Sequence, residues 1–154
     1  MTETLELARR FFDEAWNRGR LELIPGIMAQ PYRVTSLNHG APPLGPQTHA
    51  DIAQHVVEYR RGFSDLEVVI VDTLAVADRA FIQTRLRGTH DGVFLGMTAT
   101  GRAVDIVLSA VFESVAGKLT GHTVLVDMLG LLQQLGVPMP APGAPPNAAP
   151  PSPQ

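Results

Sequence analysis

A histidine and an aspartate near the end of the chain have residue types and positions suited to proton transfer. His122 and Asp127 lie where a strand-forming run gives way to the helix-forming run MLGLLQQL. A carboxyl group at the end of a strand can act as an acid or a base when apolar neighbours such as Leu125 and Phe112 exclude water, because desolvation raises its pKa. A residue directly before a helix is also typical of an N-cap, in which the carboxylate accepts backbone N–H groups and is structural. The residues alone leave both roles of Asp127 open.

The spacing of these two residues bears on whether they act together. Five residues separate His122 from Asp127, so in an unbroken strand their side chains point to opposite faces unless a bulge intervenes. A three-residue turn at 116–118 would place Asp105 and Ser109 on the face of Asp127, whereas a two-residue turn would place Phe112 there. Both registers stay open, and His122 is either an acid–base group or a hydrogen-bonded strand histidine.

Further polar and aromatic side chains are candidates for binding a substrate. His90 follows a predicted strand, His39 precedes a Pro-rich loop, and His55 shares a helix face with Tyr59. Each of these, like Trp16 on an apolar helical stripe, could instead be an ordinary core or capping residue. The predicted substrate-binding residues are His90, Trp16, His39, His55, Tyr59, Phe94, Phe112, Ser109 and Asp105.

Several kinds of catalytic site are disfavoured by the residue types present. The chain has no cysteine, and its five histidines are scattered without the spacing of metal ligands on one helix or strand. The segment GTHDGVFLG does not begin a predicted helix, so it is not a phosphate-binding loop, and no serine stands in a G-x-S-x-G setting. We therefore predict no metal, no nucleotide cofactor and no serine or cysteine nucleophile.

Length and composition narrow the class of protein. A chain of 154 residues is the size of one domain, and a formal net charge of -3 is unlike that of proteins that bind nucleic acid. No apolar run reaches the roughly 18 residues that cross a membrane, and the N-terminus lacks the apolar segment of a secretory signal. The expected protein is cytoplasmic, with no nucleic-acid or membrane partner.

Hydrophobic periodicity predicts helices first and long strands afterwards. This order is typical of an α+β domain in which helices cover one face of a curved antiparallel sheet. After Gly136, proline, alanine and glycine dominate, which predicts a flexible tail over 137–154 attached to a domain over 1–136. The predicted helices cover about 3–17, 21–28, 48–61 and 128–136, and the predicted strands about 32–38, 66–76, 80–90, 103–115 and 118–126.

Spaced motifs over about residues 5–136 resemble the SnoaL-like polyketide cyclases of the nuclear transport factor 2-like superfamily. The motifs are Gly88-Thr89-His90-Asp91-Gly92, Phe94, Gly96, Thr100-Gly101-Arg102, Gly117-Lys118, His122, Asp127 and the ending Gln134-Leu135-Gly136. The resemblance implies a cone-shaped barrel of curved sheet wrapped over about three N-terminal helices, with a short C-terminal helix and a deep apolar pocket. It further implies a homodimer or larger homo-oligomer, and a ring closure without cofactor in which Asp127 acts as acid and base.

Two departures from the family pattern concern the substrate more than the fold. Thr123 stands where many relatives have an aromatic residue, and the usual proline before Thr100-Gly101-Arg102 is absent. The expected function is a cyclase or isomerase that closes a ring in a bulky, mostly apolar polyketide-type intermediate. An epoxide-opening cyclase or hydrolase is one alternative, and a non-catalytic small-molecule-binding or interaction domain is another.

Overall fold

A computed structural model describes residues 2–139 of the chain. The predicted tail over 137–154 therefore lies almost entirely outside the described residues, and the division into a domain and a tail stays a prediction. Within the described range, no helix is long and apolar enough to cross a membrane.

The N-terminal helices form because apolar residues recur on one side of each. Helix α1 (Glu3–Arg10) begins at Thr2, whose side chain accepts the backbone N–H of Leu5, and it continues as a π-helical segment over Phe11–Trp16. The buried residues of this stretch include Leu5, Leu7, Ala8, Phe11, Phe12, Ala15 and Trp16. The stripe predicted from helical spacing is confirmed, and it faces the sheet.

The second predicted helix is shorter than expected. A 3-10 turn (Leu21–Leu23) leads into the single helical turn α2 (Ile24–Ile27), after which Met28 is already extended. Pro25 lies in the first turn of α2, where it interrupts no helical hydrogen bond. Helix α3 (His49–Gly62) begins with a capping box, in which the Thr48 hydroxyl accepts the N–H of Asp51 and the Asp51 carboxylate accepts the N–H of Thr48.

Five strands form one sheet. They are β1 (Met28–Ser36), β2 (Glu67–Val76), β3 (Arg79–Thr89), β4 (Ala103–Val115) and β5 (Lys118–Val126), in the order β1-β5-β4-β3-β2. The strands β2 to β5 pair antiparallel, whereas β1 runs parallel to β5. The α+β class is confirmed, and the sheet is mixed because β5, the last strand of the antiparallel series, lies beside β1 and runs in the same direction.

The pairing of β4 with β5 decides which side chains share a face. A two-residue turn, Ala116-Gly117, pairs Val115 with Lys118, and a bulge then shifts the register so that Glu113 faces Gly121. Beyond the bulge, Phe112 pairs with His122 and Ser109 pairs with Leu125. The turn therefore has two residues, the shorter of the two predicted lengths. The extra residue of the bulge shifts the register by one, so Asp105 and Ser109 lie on the face of Asp127, as expected for the three-residue turn.

We call the face of the sheet that packs against the helices the inner face. Its buried residues are Ala80, Ile82, Thr84 and Leu86 on β3 and Val104, Ile106, Ala110, Phe112 and Ser114 on β4. The short helix α4 (Met128–Gln134) follows β5, and the Gln134 amide pairs with the backbone of Asp105, donating to its oxygen at 3.0 Å and accepting from its N–H at 2.6 Å. Because β5 does not reach residues 103–107, α4 covers that part of β4.

Candidate active site

His122 lies on the inner face of β5, where it meets two aromatic rings. Its Nδ1 lies 2.9 Å from the hydroxyl of Tyr32, which is fully buried on β1. The ring of Phe112, its partner on β4, lies 5.0 Å away at an angle of 34°. Strand pairing thus brings Tyr32, Phe112 and His122 together from three neighbouring strands.

Burial keeps the His122–Tyr32 pair uncharged. Desolvation, assisted by the nearby His55 and Arg33, lowers the pKa of His122 to about 4. Burial also raises the pKa of Tyr32 well above its ordinary value, and the charge of Arg33 offsets this in part. At neutral pH the pair is a neutral imidazole beside a neutral phenol, which can pass a proton between a ring nitrogen and a ligand.

The remaining inner-facing side chains beside His122 are apolar. On the described strands β4 and β5 they are Val104, Ile106, Leu108, Ala110, Phe112, Val124 and Val126, with Ser114 near the turn. Ser114 is already hydrogen-bonded to Thr4 at 2.6 Å. None of these residues is a carboxylate, so His122 is the titratable side chain among them.

An aromatic wall continues from the helices to the loop after β3. Trp16 contacts His55 and Tyr59 with ring centroids 5.8 Å and 5.3 Å apart, and Tyr59 contacts Phe94 at 4.8 Å. The wall then passes through Phe63 to His90, at 5.1 Å and 5.5 Å. Four predicted substrate-binding residues, Trp16, Tyr59, Phe94 and His90, therefore belong to one continuous buried surface.

His55 lies on α3 at the exposed side of the aromatic wall, where it contacts Trp16 and Tyr59. It keeps an exposed edge and lines a cavity of about 270 Å³ together with Val34, Leu44 and Ile52. Surrounding protein nevertheless lowers its pKa through desolvation. His55 is thus not buried in the core, and its role in substrate binding stays a prediction.

Asp127 lies on the opposite side of the sheet from His122. It is exposed, and its Oδ1 accepts the backbone N–H of Gly130 at 2.8 Å, which makes it the N-cap of α4. A methyl group on residue 130 would lie 2.2 Å from Oδ2 of Asp127, so the capping contact requires glycine at this position. The structural role that the sequence left open for Asp127 is present.

A cavity of about 510 Å³ lies beside Asp127 on the outer face of the sheet. Its lining residues are Asn38, His39, Val107, Ser109, Leu125, Val126, Asp127, Met128 and Leu129. Ser109, expected on the face of Asp127, and the predicted substrate-binding residue His39 lie beside it. The expectation that Phe112 shields Asp127 is wrong, because Phe112 is buried on the inner face. Leu125 itself is 50% exposed, so Asp127 is not enclosed as expected.

Asp105 is also on the outer face but is engaged elsewhere. Its carboxylate pairs with Arg85 at 2.8 Å and Arg87 at 3.4 Å, and these bonds, Arg85 first, lower its pKa. It is not among the residues that line the cavity beside Asp127. The geometry gives Asp105 an ion-pairing role on β3 and β4 and no contact with either surface described above.

Two residues of the inner region were missed from the sequence. Tyr32 was assigned to the start of a strand without a role, and Thr84 was not singled out. Strand alternation was a usable signal for Thr84, which lies between the inward residues Ile82 and Leu86, and a weaker one for Tyr32, which shares its side of β1 with Val34. Their partners and surroundings come from other strands, which the alternation does not identify.

Known proteins resemble this chain along most of its length. The profile of a family described as SnoaL-like polyketide cyclase matches residues 6–135. The chain is 31% identical to the aklanonic acid methyl ester cyclase DauD of Streptomyces sp. (strain C5), over 92% of this chain and 87% of DauD. It is 30% identical to the aklanonic acid methyl ester cyclase DnrD of Streptomyces peucetius, over 92% and 97%. Among solved structures, a SnoaL-like protein from Jannaschia sp. CCS1 superposes with a TM-score of 0.77 at 24% identity, over 89% of this chain and 94% of the other.

Proposed function

Because the chain belongs to the SnoaL-like polyketide cyclase family and is a cyclase, we propose that it closes a ring by proton transfer at His122. The observation that carries this proposal is the neutral His122–Tyr32 pair on a surface that is mostly apolar. A histidine sheltered from water, next to aromatic walls, suits the acid–base chemistry of a carbonyl compound. The proposal moves the proton transfer from Asp127, where the family resemblance placed it, to the inner face.

The chemistry is an internal aldol-type closure. When Nδ1–H of His122 donates to the oxygen of Tyr32, Nε2 has a free lone pair and can take a proton from an acidic C–H group of the substrate. The enolate carbon then attacks a carbonyl carbon of the same molecule, forming the C–C bond of the ring. The alkoxide that results takes the proton back from Nε2, so no proton or electron is gained or lost.

Burial has two opposite effects on this step. Desolvation disfavours the imidazolium form, which is why the pKa of His122 is low in the free protein. An enolate beside the ring supplies the opposite charge and stabilises the imidazolium that forms with it. The base therefore becomes stronger as the reaction proceeds, and no cofactor is needed to balance the step.

The substrate class follows from the walls and the relatives. Aromatic and aliphatic side chains surround the pair, which suits a flat, mostly apolar ring system. Since two relatives are aklanonic acid methyl ester cyclases, we take aklanonic acid methyl ester as the first substrate to test. The proposed partner of the protein is therefore a small molecule of this class.

Asp127 remains the alternative position for the acid–base group. The exposed carboxylate is open to water, and one of its oxygens already serves α4, so it lacks the sheltered setting of His122. The cavity beside it is large enough for a ligand, which keeps the alternative testable.

The decisive experiment compares turnover of aklanonic acid methyl ester by three variants, with substrate and its isomeric product separated by chromatography. We expect His122→Gln to lower kcat by roughly 100-fold or more, as loss of a general acid–base group does. Tyr32→Phe should lower kcat less, because the base remains but loses its orienting partner. Asp127→Asn, which keeps the cap, should stay within about threefold of wild type.

The matched control is His39→Gln, because His39 is an exposed histidine beside Asp127 and away from the inner face. Circular dichroism establishes that each variant is folded. The proposal is wrong if His122→Gln retains the wild-type kcat. Loss of turnover in Asp127→Asn alone would return the acid–base role to the outer face.

A further inference from the structure

Thr84 places a hydroxyl group in the middle of an apolar surface. It lies on the inner face of β3, opposite Ile70 of β2 and Leu108 of β4, and it is 1% exposed. Its neighbours on the same face of β3 are Ile82 and Leu86, each also 1% exposed. Among the described residues, its Oγ1 has no hydrogen-bond partner.

A hydroxyl at this position requires an explanation. Valine has nearly the same shape and an equal preference for strands, and it would fill the site without burying a polar atom. A buried hydroxyl without a partner lowers the stability of the fold, so its retention calls for an explanation such as a bound ligand or water. Within residues 2–139, no protein group pairs with the hydroxyl oxygen of Thr84.

Two further buried groups of the same region are hydrogen-bond donors without partners. The Nε1–H of Trp16 is one of them. In His90 the Nδ1 accepts the backbone N–H of Thr100 at 3.3 Å, which places the ring proton on Nε2, and that atom is also unpartnered within the described chain. Trp16 and His90 are the two ends of the aromatic wall. A ligand that satisfies these groups must be rich in acceptor oxygens.

We infer that Thr84 is a specificity-determining residue that donates its hydroxyl proton to a carbonyl or phenolic oxygen of the substrate. The inference rests on the proposed use of the inner face as the substrate site. Along β4, the neighbour of Thr84 is Leu108 and the neighbour of His122 is Phe112, four residues or roughly 13 Å apart. Thr84 therefore binds a part of a polycyclic, oxygen-substituted ligand that is remote from the reacting carbon.

The inference is tested with Thr84→Val, which removes the hydroxyl at constant shape, and with Thr84→Ser, which restores it. Thr123→Val is the matched control, because Thr123 is a strand threonine on the outer face, opposite Val111. Binding of 1,8-dihydroxyanthraquinone is followed by quenching of Trp16, the single tryptophan of the chain. KM and kcat are measured with aklanonic acid methyl ester.

Thr84→Val should weaken anthraquinone binding and raise KM by about five- to tenfold, the effect of one neutral hydrogen bond, with kcat changed less than threefold. Thr84→Ser should bind within about twofold of wild type, and Thr123→Val should be unchanged. Without ligand, the Tm of Thr84→Val should equal or exceed that of wild type, because an unsatisfied hydroxyl is removed.

Three results would overturn the role of Thr84. A lower Tm for unliganded Thr84→Val would show that the hydroxyl is structural. Unchanged binding and KM in that variant would show that the ligand does not touch it, and failure of wild type to bind either compound would remove the site. The test of Thr84 is separable from the test of the proposed function. Thr84→Val can lose binding while His122→Gln keeps full activity, and Thr84→Val can bind normally while His122→Gln loses activity.

Discussion

The surroundings of His122 make the stability of the folded protein depend on pH. The groups near its ring are Tyr32, His55 and Arg33, and burial is the largest cause of its low pKa. In the unfolded chain the histidine has an ordinary pKa of 6.5, against about 4 in the folded protein. The unfolded chain therefore binds a proton first as the pH falls. The stability contributed by the neutral ring is complete above about pH 6.5 and is lost progressively down to pH 4.

Wild-type protein should accordingly lose roughly 3 kcal/mol of unfolding free energy from this residue between pH 7.5 and pH 4. His122→Gln, which does not titrate, should lose correspondingly less over the same range. The measurement is urea denaturation at several pH values, with the exposed His39→Gln as control. Equal acid sensitivity in wild type and His122→Gln would contradict the buried neutral state.

At the scale of single elements, the loop between β3 and β4 fixes the end of the aromatic wall. The backbone N–H groups of Asp91 and Gly92 both donate to the oxygen of Gly62 at 3.1 Å, and the Asp91 carboxylate accepts the N–H of Ser64 at 2.9 Å. These bonds hold the loop against the end of α3, where Phe94 packs on Tyr59. The loop is therefore part of the wall.

Gly92→Ala should displace this loop. The added methyl carbon would lie 2.0 Å from the backbone oxygen of Arg61, and a backbone atom cannot turn aside as a side chain can. We expect a loss of about 2 kcal/mol or more in unfolding free energy, measured by urea denaturation, together with weaker substrate binding. Gly26→Ala is the control, because its methyl group would meet nothing within 4 Å, and it should be neutral or slightly stabilising. A loss below 0.5 kcal/mol in Gly92→Ala would contradict the close approach.

The positions of the strands were predictable, but the register between β4 and β5 was not. Alternation of apolar residues located β2 to β5 to within a few residues, and the five-residue spacing correctly separated His122 from Asp127 by face. The register depends on a bulge beside Gly121, where a methyl group would lie 2.8 Å from the backbone oxygen of Arg33 on β1. That contact joins strands far apart in sequence, so turn length alone could not decide between the two registers.

The candidate site was predictable in its residues more than in its arrangement. Histidines and aromatic residues were recognisable by type, and four of them meet in one wall. The role of Tyr32 was hidden because its hydrogen bond to His122 arises from the parallel pairing of β1 with β5, which no local pattern indicates. The exposure of Asp127 was not predictable from its neighbours in sequence, because these apolar residues are themselves partly exposed on the outer face.

At the scale of the whole molecule, the outer face of the sheet carries exposed apolar side chains around the cavity beside Asp127. Val107, Leu125 and Leu129 are 36%, 50% and 57% exposed, and all three line that cavity. Contiguous exposed apolar surface of this kind is typical of an association surface. We therefore predict that the protein forms the homodimer or larger homo-oligomer expected from the family resemblance, and that it does so through this face.

Leu125→Glu tests this assembly, because a charge buried between subunits without a partner costs far more than the same charge in water. Light scattering coupled to size-exclusion chromatography should show a lower mass for Leu125→Glu than for wild type, with an unchanged circular dichroism spectrum. Leu74→Glu is the control, since Leu74 is 68% exposed on the edge strand β2, three strands away from β5, and the mass of this variant should match that of wild type. A monomeric wild type, or equal masses for all three proteins, would contradict association through the outer face and would leave the cavity beside Asp127 open to solvent.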